Sequence, residues 1–217
     1  MSEIELYELW CKNADEDSDL QTELKSISGD NEAINDRFYR DLEFGTGGLR
    51  GEIGAGTNRM NVYTVGKATQ GLAEYVLSVN DKPSVAIAYD SRIKSDVFAK
   101  NAAAVLAANG IKVYIYNELM PTPMLSFAVR ELKCQAGIVV TASHNPAKYN
   151  GYKVYGDDGC QITLKGAEIV LEKINELDMF NGYKIASFDE KLADGTIEYI
   201  GQNVIDRYFE CVLAQGI

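Results

Sequence analysis

The sequence is poor in the residues that build metal and disulfide frameworks. It contains one histidine, His144, and four cysteines that stand far apart and form no C-x-x-C pair. This pattern indicates neither a zinc site nor a disulfide framework, because it has no closely spaced ligand pair and only four cysteines in 217 residues. Scattered thiols are typical of a protein in the reducing cytoplasm, and we predict that location.

Long apolar runs are also lacking. No run approaches the roughly 20 residues that a membrane span requires, and the acidic residues 1–5 lack the layout of a secretory signal. The composition, with 46% hydrophobic and 24% charged residues, is that of an ordinary globular protein. The length of 217 residues predicts one large domain, or one domain and part of another.

Basic residues are scarce in the first part of the chain. Residues 1–43 hold 13 acids and 4 bases, so they carry most of the net charge of −11. We therefore predict no nucleic-acid partner and no membrane partner. Residues 44–217 are nearly neutral, and an anionic substrate is compatible with that part of the chain.

One stretch, residues 136–155, organises the rest of the chain. It opens with a β-branched run at residues 137–140, which predicts a strand buried on both faces. Small and polar residues with turn-forming pairs follow, and residues 152–155 form a second predicted strand. Ser143 should lie just past the carboxyl end of the first strand, where open α/β sheets bind their ligands.

Two kinds of chemistry are open to Ser143. Adjacent side chains in an extended segment point to opposite sides, so His144 is poorly placed to take a proton from Ser143, and no other histidine exists to build a triad. A serine hydrolase is therefore disfavoured. A serine that carries a phosphoryl group needs cations and backbone N–H groups instead. A turn without chemistry is the alternative for an isolated motif of this kind.

Glycine is concentrated in residues 44–59. The segment lacks the G-x-x-x-x-G-K-[ST] pattern of a phosphate-binding P-loop, and arginines 50 and 59 stand where a dinucleotide fingerprint needs its third glycine. Taken alone, this segment is compatible with a tight hairpin. Glycine at this density lets a backbone approach a ligand closely.

Alternating strand and helix patterns predict the fold class. It is α/β, a mixed and mostly parallel sheet with helices on both faces, and Asp90, Arg92 and Ser143 share one edge of it. Ser95 is the expected N-cap of a helix over residues 96–109, and Asp157 and Asp158 are expected to form a turn.

We predict an acidic helical arm at residues 1–43, an α/β domain at 44–200 and the start of a second domain at 201–217. The arm is read as packing or solvated surface without chemistry. The other predicted elements are helices at 3–25, 31–42, 61–79, 121–132 and 164–177, strands at 84–89, 111–115 and 195–200, and a helix from 203.

Two motifs together resemble a known family. The run T-A-S-H-N-P at residues 141–146, followed by N-G-x-K at 150–153, closely resembles the active-serine loop of the α-D-phosphohexomutases, the phosphoglucomutase/phosphomannomutase family. The run G-T-G-G-L-R-G at residues 45–51 resembles that family's T-[SG]-G-L-R-G motif. The motifs stand in the family's order, with Arg50 and Ser143 about ninety positions apart.

The resemblance implies a set of catalytic and binding residues. Ser143 would be the serine that is phosphorylated in the resting enzyme, and its phosphate would bind Mg²⁺. Arg50 would face that phosphate, and Lys153 would act as general acid/base or stabilise charge. His144 and Asn145 would shape the loop, and Asn145 would join Arg50 and Lys153 in binding phosphate.

The reaction implied by the family needs more cations than these. A phosphoserine and a sugar phosphate, two dianions roughly 6 Å apart, repel by about 11 kcal/mol at an effective dielectric constant of 20. The family's second domain supplies metal ligands from a D-x-D-x-D-R loop, and the complete motif is absent from this sequence. The resemblance therefore implies the first domain of a larger mutase that moves a phosphoryl group between the 1- and 6-positions of a hexose.

That reading implies several partners. They are a phosphosugar substrate, a sugar bisphosphate intermediate and the C-terminal domains of the parent enzyme, and the chain alone should be inactive. The alternatives are a stand-alone phosphosugar-binding or regulatory module, a phosphopentomutase-type parent and, disfavoured above, a serine hydrolase.

Overall fold

Six strands form one mixed sheet in the computed structural model, which describes residues 1–216. In chain order they are β1 (Gly48–Glu52), β2 (Ser84–Tyr89), β3 (Lys112–Ile115), β4 (Ala136–Val140), β5 (Tyr149–Gly156) and β6 (Ile197–Tyr199). Across the sheet the order is β1-β5-β4-β2-β3-β6. The four strands β4, β2, β3 and β6 are parallel, whereas β5 runs antiparallel to both β4 and β1. The predicted mixed, mostly parallel α/β sheet is confirmed.

Helices cover both faces of this sheet, as predicted. They are α1 (Glu3–Asn13), α2 (Ser18–Ser26), α3 (Asn31–Phe38), α4 (Val62–Val79), α5 (Ser95–Ala108), α6 (Thr122–Glu131), α7 (Leu164–Asn175), α8 (Phe188–Ala193) and α9 (Gln202–Leu213). Two buried apolar clusters lie on opposite faces, one built mainly by α1–α5 and α7, the other by α6 and α9. Every residue of β4 is buried between them, which confirms the prediction for that strand. No helix within residues 1–216 combines the length and apolarity that crossing a membrane requires.

The N-terminal helices pack into the core of the sheet. Trp10 of α1 is fully buried, and its ring meets those of Phe38, Tyr63 and Phe180 edge to face at 5.9, 5.5 and 5.3 Å between centroids. Edge-to-face pairs of this kind stabilise a core beyond the area that they bury. The apolar core therefore runs across position 43/44, where we predict a domain boundary, and that boundary stays a prediction.

Several element bounds differ from the sequence-based ones. Helix α3 ends at Phe38, four residues before the predicted end at Leu42, because the chain turns there and the Leu42 N–H donates to the Thr57 carbonyl at 2.8 Å. Strand β5 begins at Tyr149, three residues earlier than predicted. The glycine-rich segment contributes strand β1, so it is more than a hairpin. The pair Asp157 and Asp158 does form a turn, in which the Asp158 carboxylate accepts from the Cys160 N–H at 2.8 Å.

Candidate functional site

The loop after β4 presents Ser143 to solvent at the edge where the parallel strands end. Ser143 is exposed and has φ of 57°, in the left-handed region that non-glycine residues rarely occupy. Its N–H donates to the Thr141 hydroxyl at 2.9 Å, and the Asn145 N–H donates to the Ala142 carbonyl at 3.1 Å. A strained residue persists only where its surroundings determine its conformation. Here the contacts that hold the loop are hydrogen bonds.

Arg92, on the loop after β2, supplies the main contact to this serine loop. Its Nη2 donates to the carbonyls of Ser143 at 2.6 Å and Asn145 at 2.7 Å, and its Nη1 donates to those of Pro146 at 3.1 Å and Tyr149 at 3.0 Å. One guanidinium therefore binds four backbone carbonyls. The predicted placement of Arg92 and Ser143 on one edge is confirmed.

Asp90 fixes the base of the arginine. Its Oδ1 accepts from the Arg92 N–H at 3.0 Å and from the Ser95 hydroxyl at 2.9 Å, and its Oδ2 lies 3.6 Å from Arg92 Nε. Asp90 and Arg92 are thus paired with each other. Ser95 is not the N-cap that the sequence predicts, because its hydroxyl is drawn to Asp90. It is the first residue of α5, and Lys94 stands at the N-cap position with φ of 59°.

Asn150 links the two loops from beneath. It is fully buried, and its Nδ2 donates to the Ile93 carbonyl and to the Ser95 hydroxyl, both at 3.0 Å. Its Oδ1 accepts from the Gly151 N–H at 2.8 Å. Every polar atom of this buried amide side chain therefore has a partner, as burial requires.

His144 lies closer to Ser143 than the sequence argument allowed. Its Nδ1 is 3.4 Å from Ser143 Oγ, a long and weak contact. The two side chains would point apart on an extended backbone, but the left-handed conformation of Ser143 brings them together, so that prediction is wrong. A triad needs a third group to orient the histidine, and the hydrogen bonds of residues 1–216 include none to His144 Nε2.

Arg50 and Lys153 lie together on strands β1 and β5. The register pairs Gly48 with Lys153 and Arg50 with Gly151, which places both cations on one face of the sheet. They line a cavity of about 370 Å³ together with Arg40, Thr46 and Gln161. The close approach of the strands depends on Gly48, because a Cβ there would overlap the carbonyl oxygen of Tyr152.

The environment of Lys153 weakens its hold on a proton. Partial burial lowers the pKa of this lysine, the nearby charge of Arg50 lowers it further, and Asp90 raises it in part. An amine with a lowered pKa can accept or donate a proton closer to neutral pH than an ordinary lysine can.

The site residues fall into two groups. Ser143 and Asn145 line a cavity of about 340 Å³ with Asp90 and Arg92, whereas Arg50 and Lys153 line the larger one. The two groups interact electrostatically, because the negative charge of Asp90 raises the pKa of Lys153. Ser143 and Arg50 are both exposed, so a ligand can reach each group from solvent.

The described chain does not supply a metal site of its own. Residues 1–216 contain no group of three acidic, histidine or cysteine side chains that could hold an ion. Asp15, Asp17 and Asp19 do have the D-x-D-x-D spacing, without the arginine. Asp17 and Asp19 bind the ammonium group of Lys94 at 2.5 and 2.9 Å instead. The donor set here does not fit a complete Mg²⁺ site, which needs several hard oxygen ligands.

Sequence reasoning missed the residues that hold the loops. Lys94 and Ser95 gave no signal beyond ordinary turn or cap patterns, and Asn150 gave none for its buried contacts, although it stands in the N-G-x-K motif. Glu23 of α2 also escaped notice, although its carboxylate accepts from the Ala55 N–H at 2.8 Å and pairs with Arg37 at 2.9 Å. The D-x-R spacing was the one usable signal, since it placed a carboxylate and a guanidinium at the end of a predicted strand.

Comparison with known proteins gives a consistent family. A family model described as phosphoglucomutase/phosphomannomutase, alpha/beta/alpha domain I, matches residues 41–180. The phosphoglucomutase of Staphylococcus saprophyticus is 38% identical over 205 residues, which cover 92% of this chain and 36% of the relative. A Schizosaccharomyces pombe protein named probable phosphoribomutase is 43% identical over 78% of this chain and 30% of its own length. The chain thus spans about a third of the length of these curated relatives.

Solved structures share the fold. A crystal structure of a Thermus thermophilus protein, described as a candidate phosphomannomutase, matches with a TM-score of 0.68 and 29% identity over 81% of this chain and 36% of the other. A phosphoglucomutase/phosphomannomutase family protein of Burkholderia thailandensis matches with a TM-score of 0.60 and 24% identity, over 77% of this chain and 34% of the other. At that identity, the second match supports the fold alone.

Proposed function

The chain belongs to the phosphoglucomutase/phosphomannomutase family, and from that membership we propose that Ser143 carries a phosphoryl group for a phosphosugar mutase. One observation supports this most strongly. Ser143 is held in a left-handed conformation that leaves it exposed at the carboxyl edge of the sheet, while its own carbonyl is bound by Arg92. A hydroxyl exposed in this position is accessible to a phosphoryl donor.

The neighbouring residues have roles that follow from their charge and placement. Arg50 attracts and steadies the transferring phosphoryl group, and Lys153, with its lowered pKa, exchanges a proton with the sugar hydroxyl or stabilises developing charge. His144 Nδ1 lies within reach of the Ser143 hydroxyl and shapes the loop together with Asn145.

In the parent enzyme the phosphoryl group would move between the 1- and 6-positions of a hexose. Ser143 gives its phosphoryl group to the free hydroxyl, the bisphosphate reorients, and the other phosphate returns to Ser143. Mg²⁺ bound to the phosphoserine would supply further positive charge. Residues 1–216 offer no complete ligand set for it, so we propose that the chain alone does not turn over. The predicted cytoplasmic location stays a prediction.

A pentose substrate for the parent is the second candidate. It is favoured by the relative named probable phosphoribomutase, which is 43% identical to this chain. A stand-alone phosphosugar-binding module would keep the Ser143 loop without phosphoryl transfer. Transfer to Ser143 distinguishes that module from a mutase domain.

Intact mass spectrometry tests the proposal directly. Over a long incubation with Mg²⁺ and glucose 1,6-bisphosphate, the purified chain should slowly gain the mass of one phosphoryl group, and tandem spectra should locate it on Ser143. A single slow transfer of this kind is compatible with the absence of turnover at a catalytic rate. The variant Ser143→Ala is the matched control and should gain nothing. A wild-type chain that stays unmodified while binding the bisphosphate would favour the binding module. Appreciable mutase turnover by the isolated chain would contradict the missing-ligand argument.

A further inference from the structure

The guanidinium of Arg92 makes an unusual number of contacts with one short segment. It donates to carbonyls at residues 143, 145, 146 and 149, so its bonds span nearly the whole serine loop. These carbonyls must turn toward one point to meet it. With its own carbonyl among them, Ser143 takes the left-handed conformation, and the residue stays exposed.

We propose that Arg92 is a positioning residue that sets the conformation of Ser143 for phosphoryl transfer, an inference that rests on the proposed function. The planar fork of an arginine can serve several carbonyls at once, whereas a lysine ammonium is a point charge with a different geometry. Arg92 acts on the backbone of the loop and not on its side chains, because all four acceptors are main-chain oxygens.

The arginine is itself held in place from two sides. Asp90 binds the Arg92 backbone N–H and faces its Nε. On the far side, Lys94 pairs with Asp17 at 2.5 Å and with Asp19 at 2.9 Å, which fastens the 90–95 segment to the start of α2. The side chains of Arg92, Lys94 and Asp17 are 13%, 19% and 14% exposed, so water screens these contacts less than it screens an ordinary surface pair.

The location of the loop predicts that loss of Arg92 acts locally. The loop is exposed around Ser143 and Pro146, so water can replace the guanidinium at the carbonyls. The sheet beneath is held by its own ladder between β4, β2 and β5. Removing the guanidinium should therefore free the loop while leaving the fold intact.

Hydrogen exchange read by mass spectrometry on the 217-residue chain tests this separation. Arg92→Gln and Arg92→Lys should speed exchange in peptides covering residues 143–149 by about tenfold or more, with β4 amides within about twofold of wild type. Arg207→Gln is the control, since it removes a guanidinium that is 55% exposed and pairs only on the surface. If Arg92→Gln does not fold, Arg92→Lys decides, because it keeps the charge and most of the volume.

A second measurement separates positioning from simple stabilisation. The initial rate of Ser143 phosphorylation by glucose 1,6-bisphosphate should fall about tenfold in Arg92→Lys, while the half-saturating bisphosphate concentration changes less than about twofold. Wild-type exchange in the Arg92→Lys loop, or equal acceleration in loop and β4, would overturn the proposal. A wild-type chain that accepts no phosphoryl group would sink the proposed function, yet the exchange data would still show whether Arg92 orders the loop.

Discussion

The two segments that carry the candidate site are held in opposite ways. The serine loop is held by polar side chains, with Arg92 on its carbonyls and Asn150 beneath it. Strand β1 can lie close against β5 because Gly48 has no side chain. The first arrangement can be weakened one hydrogen bond at a time, whereas the second fails as soon as any side chain is added. Stability and loop order should therefore separate under mutation.

The largest effect is expected at Gly48. In Gly48→Ala the new Cβ would overlap the Tyr152 carbonyl oxygen and lie 2.9 Å from Lys153 Cα. Backbone atoms cannot move aside cheaply, so we expect urea unfolding to show a loss of about 3 kcal/mol. Gly45→Ala is the control, since nothing lies within 4 Å of its added Cβ. Equal stability of the two variants would show that β1 is not held by close approach.

A smaller effect is expected at Asn150, the polar counterpart. Asn150→Ala leaves the Ile93 carbonyl and the Gly151 N–H without their partners. Unfolding free energy should drop by about 2 kcal/mol, because buried polar groups would lose their hydrogen bonds. Asn203→Ala, at an exposed position, should change it by less than about 0.5 kcal/mol. A drop at Asn150 no larger than at Asn203 would contradict the role of the buried amide.

Two substitutions of Lys94 separate the effect of backbone strain on stability from the effect of ion pairing. Lys94→Ala and Lys94→Gly both lose the pairs to Asp17 and Asp19. Only glycine accepts φ of 59° without a Cβ penalty. The glycine variant should be the more stable of the two by about 1 kcal/mol in thermal or urea unfolding. An alanine variant as stable as the glycine variant would show that the left-handed conformation at Lys94 is relaxed.

The smallest effect is a dependence of stability on pH that comes from Lys153. Its pKa is lower in the folded chain than the usual value of about 10.4. Between those two pKa values the unfolded chain binds more protons, so stability rises with pH across this alkaline window. Lys153→Met should remove that rise, as seen by comparing urea midpoints of the two proteins at several pH values. A wild type that gains no stability over Lys153→Met in this window would mean that Lys153 titrates normally.

Arg50→Met sharpens the same comparison. The Arg50 charge is one of the causes that lower the pKa of Lys153, so its removal should raise that pKa, measured by NMR of the labelled lysine. The serine loop should keep its exchange rates, because Arg92 and Asn150 are untouched. Faster exchange in residues 143–149 would show that the two segments depend on each other.

The fold class was accessible from the sequence because its signals are periodic. The β-branched run before Ser143 and the alternation of strands and helices placed β2, β4 and α5 to within a residue or two. Strand β1 was not predicted, since two of its five residues are glycine and its pairing partner β5 lies far along the chain. A segment of this kind takes its conformation from the tertiary structure.

The sequence predicts which residues form the candidate site, but it does not predict how they are arranged in space. Ser143, Arg50 and Lys153 stood out through motifs, and their assignment stays a prediction. Contacts of side chains with distant carbonyls leave no pattern in the sequence, so the four bonds of Arg92 to the loop and the buried bonds of Asn150 beneath it were not predicted. The proximity of His144 to Ser143 was misjudged because a single left-handed residue reverses the direction of a side chain.

The pairing of β1 with β5 has a consequence for synthesis. Gly48 meets Lys153 about a hundred residues later in the chain, so β1 has no partner until the ribosome has released most of the sheet. A nascent chain halted before residue 149 would leave β1 without a strand partner, although α4 and β2 were already complete. Completion of β5 is thus the step that brings the two cations, Arg50 and Lys153, onto one face.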